Sequence, residues 1–237
     1  MDEKLAGATQ VAMWNDQYDI AHDKGSVNLW GDPHVPYAET AARRFADAHA
    51  SVVLDLPCGD GRNLPPLSAG APILLAADTS PNAMAIAAQV ANKAGFRDKT
   101  VFLTLNAFST GLLEDSVDGI YSWDLLGHLT EPASALREFY RILRPGGSIV
   151  ANVWTMNDCQ VTDPNMTSIG DKEYHDHFGF YCRHYDREDL DAMLGTAGLT
   201  AALVETSRWT DPPHAHYRTY EHQHESLVVT IRKDHHQ

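Results

Sequence analysis

The glycine-rich stretch VVLDLPCGDGRN, residues 52–63, constrains the fold of this chain more than any other. Apolar residues lead into Asp55, and small residues and turn formers then replace them. That order predicts a buried strand that ends in a loop, with a helix soon after it. Gly59 and Gly61 allow the loop backbone to approach a ligand closely. Pro57, at the first loop position, has φ fixed at about −65° and no N–H, so it cannot donate a hydrogen bond to that ligand.

Strand and helix patterns alternate along most of the chain. Apolar runs predict strands at 52–56, 73–78, 101–107, 117–123 and 148–154, with amphipathic helices between them. Two more strand patterns, at 199–206 and 226–232, follow the last helix with no helix between them. The alternation predicts an α/β fold with a doubly wound, mostly parallel seven-stranded sheet and helices on both faces. Ligands of such sheets bind beyond the carboxyl ends of the strands, where the loop after Asp55 lies.

Length and charge narrow the class of protein. A chain of 237 residues with 43% hydrophobic residues fits one α/β domain with a substantial core. The net charge is −14, which repels a phosphate backbone, and no basic run offsets it, so nucleic acid is not an expected partner. The chain shows no signal-peptide pattern and no apolar run of membrane-spanning length. Its three scattered cysteines suggest no disulfide framework, so a cytoplasmic protein is expected.

The loop at residues 52–63 resembles the first motif of class I S-adenosylmethionine-dependent methyltransferases, in which two hydrophobic residues typically precede D-x-G-x-G-x-G. Four further segments resemble later motifs of that family in the right order: LLAADTSPNAM, LNAF, DGIYSWDLLGHL and LREFYRILRPGGSIV. The dinucleotide fingerprint G-x-G-x-x-G fits less well, because Pro57 and Arg62 stand at its first and last positions. The resemblance is close over residues 50–155.

The resemblance implies one methyltransferase domain over residues 1–237. Its expected parts are an N-terminal helical lid at 1–50, a cofactor-binding core at 51–155, and substrate-side insertions with a C-terminal strand pair at 156–237. The last strand of the sheet is expected to run antiparallel to the others.

The resemblance also implies S-adenosylmethionine as the cofactor. By family analogy, Asp78 holds the ribose diol, Asp55 acts at the amino-acid end, and Asn106 and Ala107 lie at the adenine edge. Carboxylates and backbone carbonyls suit a ligand that carries a sulfonium, an ammonium and a diol but no phosphate. The remaining expected contacts come from the loop and the strand ends: Pro57, Gly59, Gly61, Thr79, Ser80 and Trp123.

Two segments at the expected ligand edge, EYHDHFGFYCRHYD and RWTDPPHAHYRTYEHQHES, are rich in histidine, tyrosine and arginine. Three interpretations are open: an aromatic-walled pocket with cations for an anionic or polar acceptor, a solvated surface without a shared role, or a metal site. The last is open because the two histidines of a His-x-His pair share one face of a strand. We favour the pocket and expect no metal. The predicted substrate contacts are Tyr18, Tyr181, Arg183, His216 and Arg218.

The predicted activity is methyl transfer to an oxygen, nitrogen or sulfur atom of a small molecule, anionic or aromatic, by in-line displacement in a monomer or homodimer. A hydroxyl or ammonium acceptor needs a general base. His128, after the fourth strand, is the first candidate, followed by Asp124 and His184. Two alternatives stay open: a nicotinamide-dependent oxidoreductase on the same kind of sheet, and a non-catalytic ligand- or metal-binding protein with a methyltransferase fold.

Overall fold

The structure is a computed structural model that describes residues 11–19, 34–213 and 218–234. Its strands, numbered in chain order, are β1 (Val52–Asp55), β2 (Ile73–Asp78), β3 (Thr100–Thr104), β4 (Val117–Ser122), β5 (Leu143–Trp154), β6 (Thr167–Gly170), β7 (Glu173–His175), β8 (Tyr181–Arg183), β9 (Leu203–Asp211) and β10 (His222–Arg232). Its helices are α1 (11–19), α2 (Tyr37–Asp47), α3 (Leu64–Leu67), α4 (Pro81–Lys93), α5 (Pro132–Ile142) and α6 (Arg187–Ala197).

Seven of the described strands form one sheet in the order β3-β2-β1-β4-β5-β10-β9. The first five strands in that order are parallel to one another, whereas β10 is antiparallel to both β5 and β9. The predicted doubly wound sheet with an antiparallel last strand is therefore confirmed. The chain winds outward from β1 in both directions, through β2 on one side and β4 on the other. Such a switch point is where these sheets bind ligands.

Helices cover both faces of the central parallel strands. Successive side chains of a strand point to opposite sides of the sheet, so each central strand contributes to both cores. Leu54 lies in the apolar cluster that contains Phe139 of α5 and Leu190 of α6. Its neighbour Val53 lies in the second cluster, with Phe45 of α2. The near-continuous apolar run of β1 thus supplies both cores at once and fixes the position of the loop that follows it.

Helix ends follow the local signals in the sequence. Ser80 caps α4, since its Oγ accepts a hydrogen bond from the Ala83 N–H at 3.2 Å. Asp186 caps α6 in the same way, and Gly198 closes that helix with φ of +73°. The strand predicted at 199–206 begins later, at Leu203, because the residues after Gly198 first complete the helix cap and the turn.

The two described helices of the expected lid have different roles. In α2, Phe45 packs so tightly on the sheet that a Cβ atom added at Gly119 would lie 2.7 Å from its ring, so this helix covers one sheet face. In α1, Trp14 stacks on Phe180 with ring centroids 4.1 Å apart, and Asn15 accepts a hydrogen bond from the Ser80 hydroxyl at 2.9 Å. Only α1 therefore lies across the ligand edge of the sheet.

A small antiparallel sheet, β6-β7-β8, occupies the chain between β5 and α6. The sequence pattern predicts an insertion there but no strands. Its last strand lies beside the 3-10 turn Leu126–His128 that follows β4, so the insertion contributes to the walls of the ligand edge. Among the described helices, none has both the length and the apolar composition needed to cross a membrane.

Candidate active site

A cavity of about 950 Å³ lies at the carboxyl ends of the parallel strands and is bordered by α1. Residues that follow four different strands line it, including Gly59 after β1, Asp78 at the end of β2, Asn106 after β3 and Trp123 after β4. The cavity continues past β4 to the edge formed by β9 and β10. Its volume is near the upper end of the range of about 300–1,000 Å³ for small-molecule sites.

The two loop glycines serve different purposes. Gly59 has φ of +52°, and its N–H donates to Asp78 Oδ2 at 3.0 Å. A Cβ atom at this position would lie 2.8 Å from the Tyr18 hydroxyl oxygen. Gly61 has φ of +90°, but the nearest backbone to its missing Cβ is Ala87 of α4, at 3.0 Å. Gly59 therefore borders the cavity with Tyr18, whereas Gly61 permits close packing of the loop on α4.

Asp55 and Asp78 form a buried acidic pair behind this loop. Asp78 lines the cavity and accepts hydrogen bonds from the N–H groups of Gly59 and Ser80, both at 3.0 Å. Neither carboxyl oxygen of Asp55 has a hydrogen-bond partner among the described residues. Burial, and then the charge of Asp78, hold the pKa of Asp55 well above its usual range. Burial also raises the pKa of Asp78, although the hydrogen bonds from the Ser80 and Gly59 N–H groups oppose that shift. Asp55, which lacks such donors, is therefore the more readily protonated member of the pair.

The other expected cofactor contacts divide between the cavity wall and the layer behind it. Pro57, Thr79 and Ala107 line the cavity. Asn106 also lines it, with Oδ1 accepting from the Phe108 N–H at 2.8 Å. Ser80 lies behind the wall, because its hydroxyl caps α4 and contacts α1.

Trp123 lies at the centre of an aromatic stack on the cavity wall. Its ring is parallel to that of Tyr121, with centroids 5.5 Å apart, and stacks on Tyr37 at 5.6 Å. The edge of Trp209 meets it at 5.5 Å. These contacts hold the indole rigidly against the ligand space.

His128 is the best-positioned of the predicted bases. It lines the cavity, and its Nδ1 lies 2.7 Å from the carbonyl oxygen of Tyr181. A carbonyl can only accept, so Nδ1 carries the proton and Nε2 carries the lone pair. Burial lowers the pKa of His128 below its usual value, which keeps the ring neutral near pH 7. Trp14 and Trp154 meet the imidazole edge-on at 5.2 and 4.8 Å.

Asp124 lines the same cavity one residue beyond Trp123. Burial raises the pKa of its carboxyl to about 6, although a hydrogen bond from Asn152 opposes the shift. Asn152 holds this residue at two points: its Nδ2 donates to Asp124 Oδ1 at 2.8 Å, and its Oδ1 accepts from the Asp124 N–H at 2.7 Å. Asp124 is thus fixed in place and titrates close to neutrality.

Among the predicted substrate contacts and bases in the described residues, three do not reach the cavity wall, just as Asp55, Gly61 and Ser80 do not among the predicted cofactor contacts. The Tyr181 hydroxyl donates to Glu173 at 3.0 Å, and Arg183 pairs with Glu173 at 3.3 Å, so both side chains serve the small sheet. His184 is fully buried beside Trp154, and burial lowers its pKa to about 4. These placements argue against a substrate role for Tyr181 and Arg183 and against His184 as a base.

The remaining predicted substrate contacts have mixed outcomes. Tyr18 lines the cavity, as expected. Arg218 also lines it, but its Nε lies 2.8 Å from Asp163 Oδ2 and both side chains are almost completely buried, so its charge is largely compensated. His216 lies outside the described residues.

Sequence reasoning missed a polar group at the far side of the cavity. Arg62 donates to both carboxyl oxygens of Asp211, which is 149 residues away in the chain. His224 lines the cavity beside them, with Nδ1 2.9 Å from Asp158 Oδ2. Burial, the largest single effect, lowers the pKa of His224, but the hydrogen bonds to Asp158 and Cys159 and the charge of Asp158 together outweigh it and raise the pKa to about 10. The repeated His-x-His pattern was the sequence signal for this polar group, but it did not identify the acidic partners Asp211 and Asp158.

Comparison with known proteins agrees with this geometry. Residues 54–151 match a family model described as a methyltransferase domain. An O-methyltransferase of Aspergillus nomiae, rstn1, is 27% identical over 157 residues, which are 60% of this chain and 70% of that protein. A demethylmenaquinone methyltransferase of Clavibacter sepedonicus is 26% identical over 141 residues, which are 60% of this chain and 56% of that protein.

A solved structure extends the likeness in fold over nearly the whole chain. The 1,6-didemethyltoxoflavin-N1-methyltransferase of Burkholderia thailandensis, with 1,6-didemethyltoxoflavin and S-adenosylhomocysteine bound, has a TM-score of 0.62 and 22% identity. The match covers 96% of this chain and 90% of that one. The family match runs from within β1 to within β5, the part of the sheet that positions the glycine loop and the acidic pair. Residues 54–151 thus match a methyltransferase domain, and the fold over nearly the whole chain is similar to that of a methyltransferase solved with S-adenosylhomocysteine bound.

Proposed function

We propose that this chain transfers the methyl group of S-adenosylmethionine to a small-molecule acceptor held in the same cavity. The observation that carries the proposal is the continuity of that cavity. One space of about 950 Å³ runs from the glycine loop, past Trp123 and His128, to the edge formed by β9 and β10. That volume suits a cofactor and a second small molecule side by side.

The residues around the loop fit the proposed cofactor. Asp78, at the end of β2 with two backbone N–H groups donating to its carboxyl group, would hold the ribose diol. Gly59 would let the loop backbone lie against the ligand, since a side chain there would collide with Tyr18. Thr79 and Asn106 line the part of the cavity where the adenine would lie. A pocket with carboxylates and without a phosphate clamp suits a sulfonium ligand.

The proposed chemistry is an in-line displacement. When bound, S-adenosylmethionine supplies an electrophilic methyl group whose sulfur leaves as a neutral thioether. The chain's own part is to align the acceptor, exclude water and remove the acceptor's proton. His128 would take that proton on Nε2, because the Tyr181 carbonyl fixes the tautomer that leaves this nitrogen with its lone pair. Its lowered pKa keeps it unprotonated and ready near pH 7.

The cavity wall favours an aromatic acceptor. Trp14 and Trp154 pack edge-on against His128, and Trp123 supplies another flat apolar surface on the same wall. The two arginines on the wall are paired, Arg62 with Asp211 and Arg218 with Asp163. These pairings reduce the cationic character that the sequence suggested for an anionic acceptor. We therefore propose an aromatic molecule with a hydroxyl or amine as the acceptor class.

A screen with labelled methyl donor tests the proposal. The protein is incubated with metabolite extracts and S-adenosylmethionine that carries a ¹³C-methyl group, and products are sought by mass spectrometry. We expect a labelled aromatic product that is absent when Asp78→Asn replaces the wild type. Titrations with S-adenosylhomocysteine and with NADH accompany the screen. Binding of the first without any labelled product would favour the non-catalytic alternative, and binding of NADH alone would favour the oxidoreductase.

A further inference from the structure

Asp211, His222 and His224 form a compact group on the cavity wall where β9 meets β10. Asp211 pairs directly with His222 across the two strands, and His224 lies two residues further along β10. All three residues therefore lie on one face of the sheet. They are buried, and one ligand atom from each lies within 4.8 Å of the other two.

Hydrogen bonds fix the orientation of both imidazole rings. His224 Nδ1 lies 2.9 Å from the Asp158 carboxylate, and His222 Nδ1 lies 2.9 Å from the carbonyl oxygen of Tyr220. Both partners can only accept, so both Nδ1 atoms donate. Nε2 is then the atom through which each ring can bind a metal. Metal-binding histidines almost always use the other ring nitrogen in this way, as a donor to a carboxylate or a backbone carbonyl.

We propose that Asp211, His222 and His224 bind a divalent first-row transition-metal ion of the Zn²⁺, Fe²⁺ or Mn²⁺ class. Two imidazoles and one carboxylate suit these ions, whereas Mg²⁺ and Ca²⁺ prefer oxygen ligands alone. Bonds of about 2.0–2.2 Å place neighbouring ligand atoms about 3–3.5 Å apart. His224 Nε2 and Asp211 Oδ2 are 3.8 Å apart, so small side-chain rotations close the site.

Arg62 is the group that this site must accommodate. Its guanidinium donates to both oxygens of Asp211. A carboxylate has about four lone-pair positions, so Asp211 can bind Arg62 and an ion together. The carboxylates of Asp158 and Asp124 interact with His224 and offset the added positive charge. The ion replaces the proton on His224 Nε2, so binding strengthens as pH rises.

Cys159 offers a rival arrangement on the other side of the same imidazole. Its Sγ lies 3.8 Å from His224 Nδ1, and Asp158 completes a second possible set of ligands. An ion there would have to break the hydrogen bond between Asp158 and His224 Nδ1. The cavity-side group keeps that bond, which is why we place the ion at Nε2.

Titration with Co²⁺ and Zn²⁺ tests this site without the methyl-transfer reaction. The protein is full-length, untagged, treated with chelator and free of S-adenosylmethionine. We expect one Co²⁺ per chain with d–d absorption of nitrogen and oxygen coordination, displacement by Zn²⁺ and no competition from Mg²⁺. His222→Ala should abolish binding. Asp158→Asn should weaken it about 10- to 100-fold, because it alters the group that orients His224.

The matched control is the double variant His175→Ala/His177→Ala, since this other His-x-His pair is exposed. It should bind Co²⁺ as the wild type does, and so should Cys159→Ala. Thermal unfolding without metal checks that each variant is folded. If His222→Ala is not folded, the result for Asp158→Asn decides the test. Unchanged binding in the folded His222 or Asp158 variant would overturn the site. So would a thiolate charge-transfer band that Cys159→Ala removes, or loss of binding only in His214→Ala/His216→Ala.

Discussion

The Nδ1 atom of His128 lies 2.7 Å from the carbonyl oxygen of Tyr181, and this contact joins the 3-10 turn after β4 to the small inserted sheet. The carbonyl selects the tautomer in which Nε2 has the lone pair. Tyr181 thus contributes through its backbone, whereas the sequence analysis expected its side chain to bind substrate. The proposed base is oriented by an element that the sequence did not predict.

Replacement of the proposed base should slow the chemical step. His128→Asn removes the nitrogen that accepts the acceptor's proton, and a general base contributes about 10²- to 10⁴-fold to such reactions. We expect kcat to fall at least about 100-fold while the Kd for S-adenosylhomocysteine stays within about threefold, as measured by kinetics and calorimetry. His175→Asn, on the exposed face of β7, is the control and should keep full activity. Full activity in His128→Asn would remove the base assignment.

The pH profile gives an independent test of His128. Burial lowers the pKa of this histidine, so its neutral, active form persists to more acidic pH than that of an ordinary imidazole. We expect kcat/KM to rise with pH and to reach its plateau with an inflection below pH 6.5. Burial raises the pKa of Asp124 to about 6, so this carboxyl group is the other candidate for the inflection. The inflection should therefore be compared between the wild type and His128→Asn. We expect the residual activity of the variant to lack the inflection, whereas an unchanged inflection would point to Asp124.

The cofactor loop should tolerate change at Pro57 but not at Gly59. Gly59→Val places a β-branched residue at φ of +52°, with its Cβ 2.8 Å from the Tyr18 hydroxyl, and should abolish binding of S-adenosylhomocysteine in calorimetry. Pro57→Gly removes a residue that donates no hydrogen bond and should leave the affinity nearly intact. Gly111→Val shares the strain of positive φ without a neighbour within 4 Å, so it should lose some stability and keep binding. The opposite ranking of the Pro57 and Gly59 variants would show that the loop meets its ligand differently.

Asp55 should destabilise the cofactor-free protein as pH rises. Its folded-state pKa is raised, so the native state binds more protons than the unfolded state above about pH 3.9, the ordinary Asp value. Stability contributed by this group is therefore lost as pH rises toward the folded pKa. Asp55→Asn keeps the shape and removes the ionisation, so we expect a higher Tm at pH 7 and a flatter Tm profile from pH 4 to 7. A lower Tm at pH 7 would show that the carboxyl forms a favourable contact.

Local sequence signals sufficed for the half of the molecule that holds the cofactor loop. Apolar runs predicted β1 to β5, and a serine such as Ser80 is typical of the cap that it forms on α4. These features depend on residues within a few positions of one another. The positive φ values at Gly59 and Gly61 have the same local origin.

The far side of the cavity depends on pairings that no local pattern encodes. Arg62 appeared only as a misfit in a dinucleotide fingerprint, yet it reaches Asp211 across 149 residues. Arg183 was predicted to be a cation that binds substrate, but it forms an ion pair with Glu173, ten residues away in the small sheet. The sequence shows which residue types lie at the rim of the cavity. Their ion-pair partners depend on which strands become neighbours in the fold.

The stoichiometry of methyl transfer to the acceptor found by the labelled-donor screen tests whether this cavity performs the reaction. We predict one S-adenosylhomocysteine released for each ¹³C-methylated product, with both falling together in His128→Asn while S-adenosylhomocysteine still binds. Release of S-adenosylhomocysteine without labelled product would show that this cavity is not a methyl-transfer site. Undiminished product in His128→Asn would show that His128 is not its base.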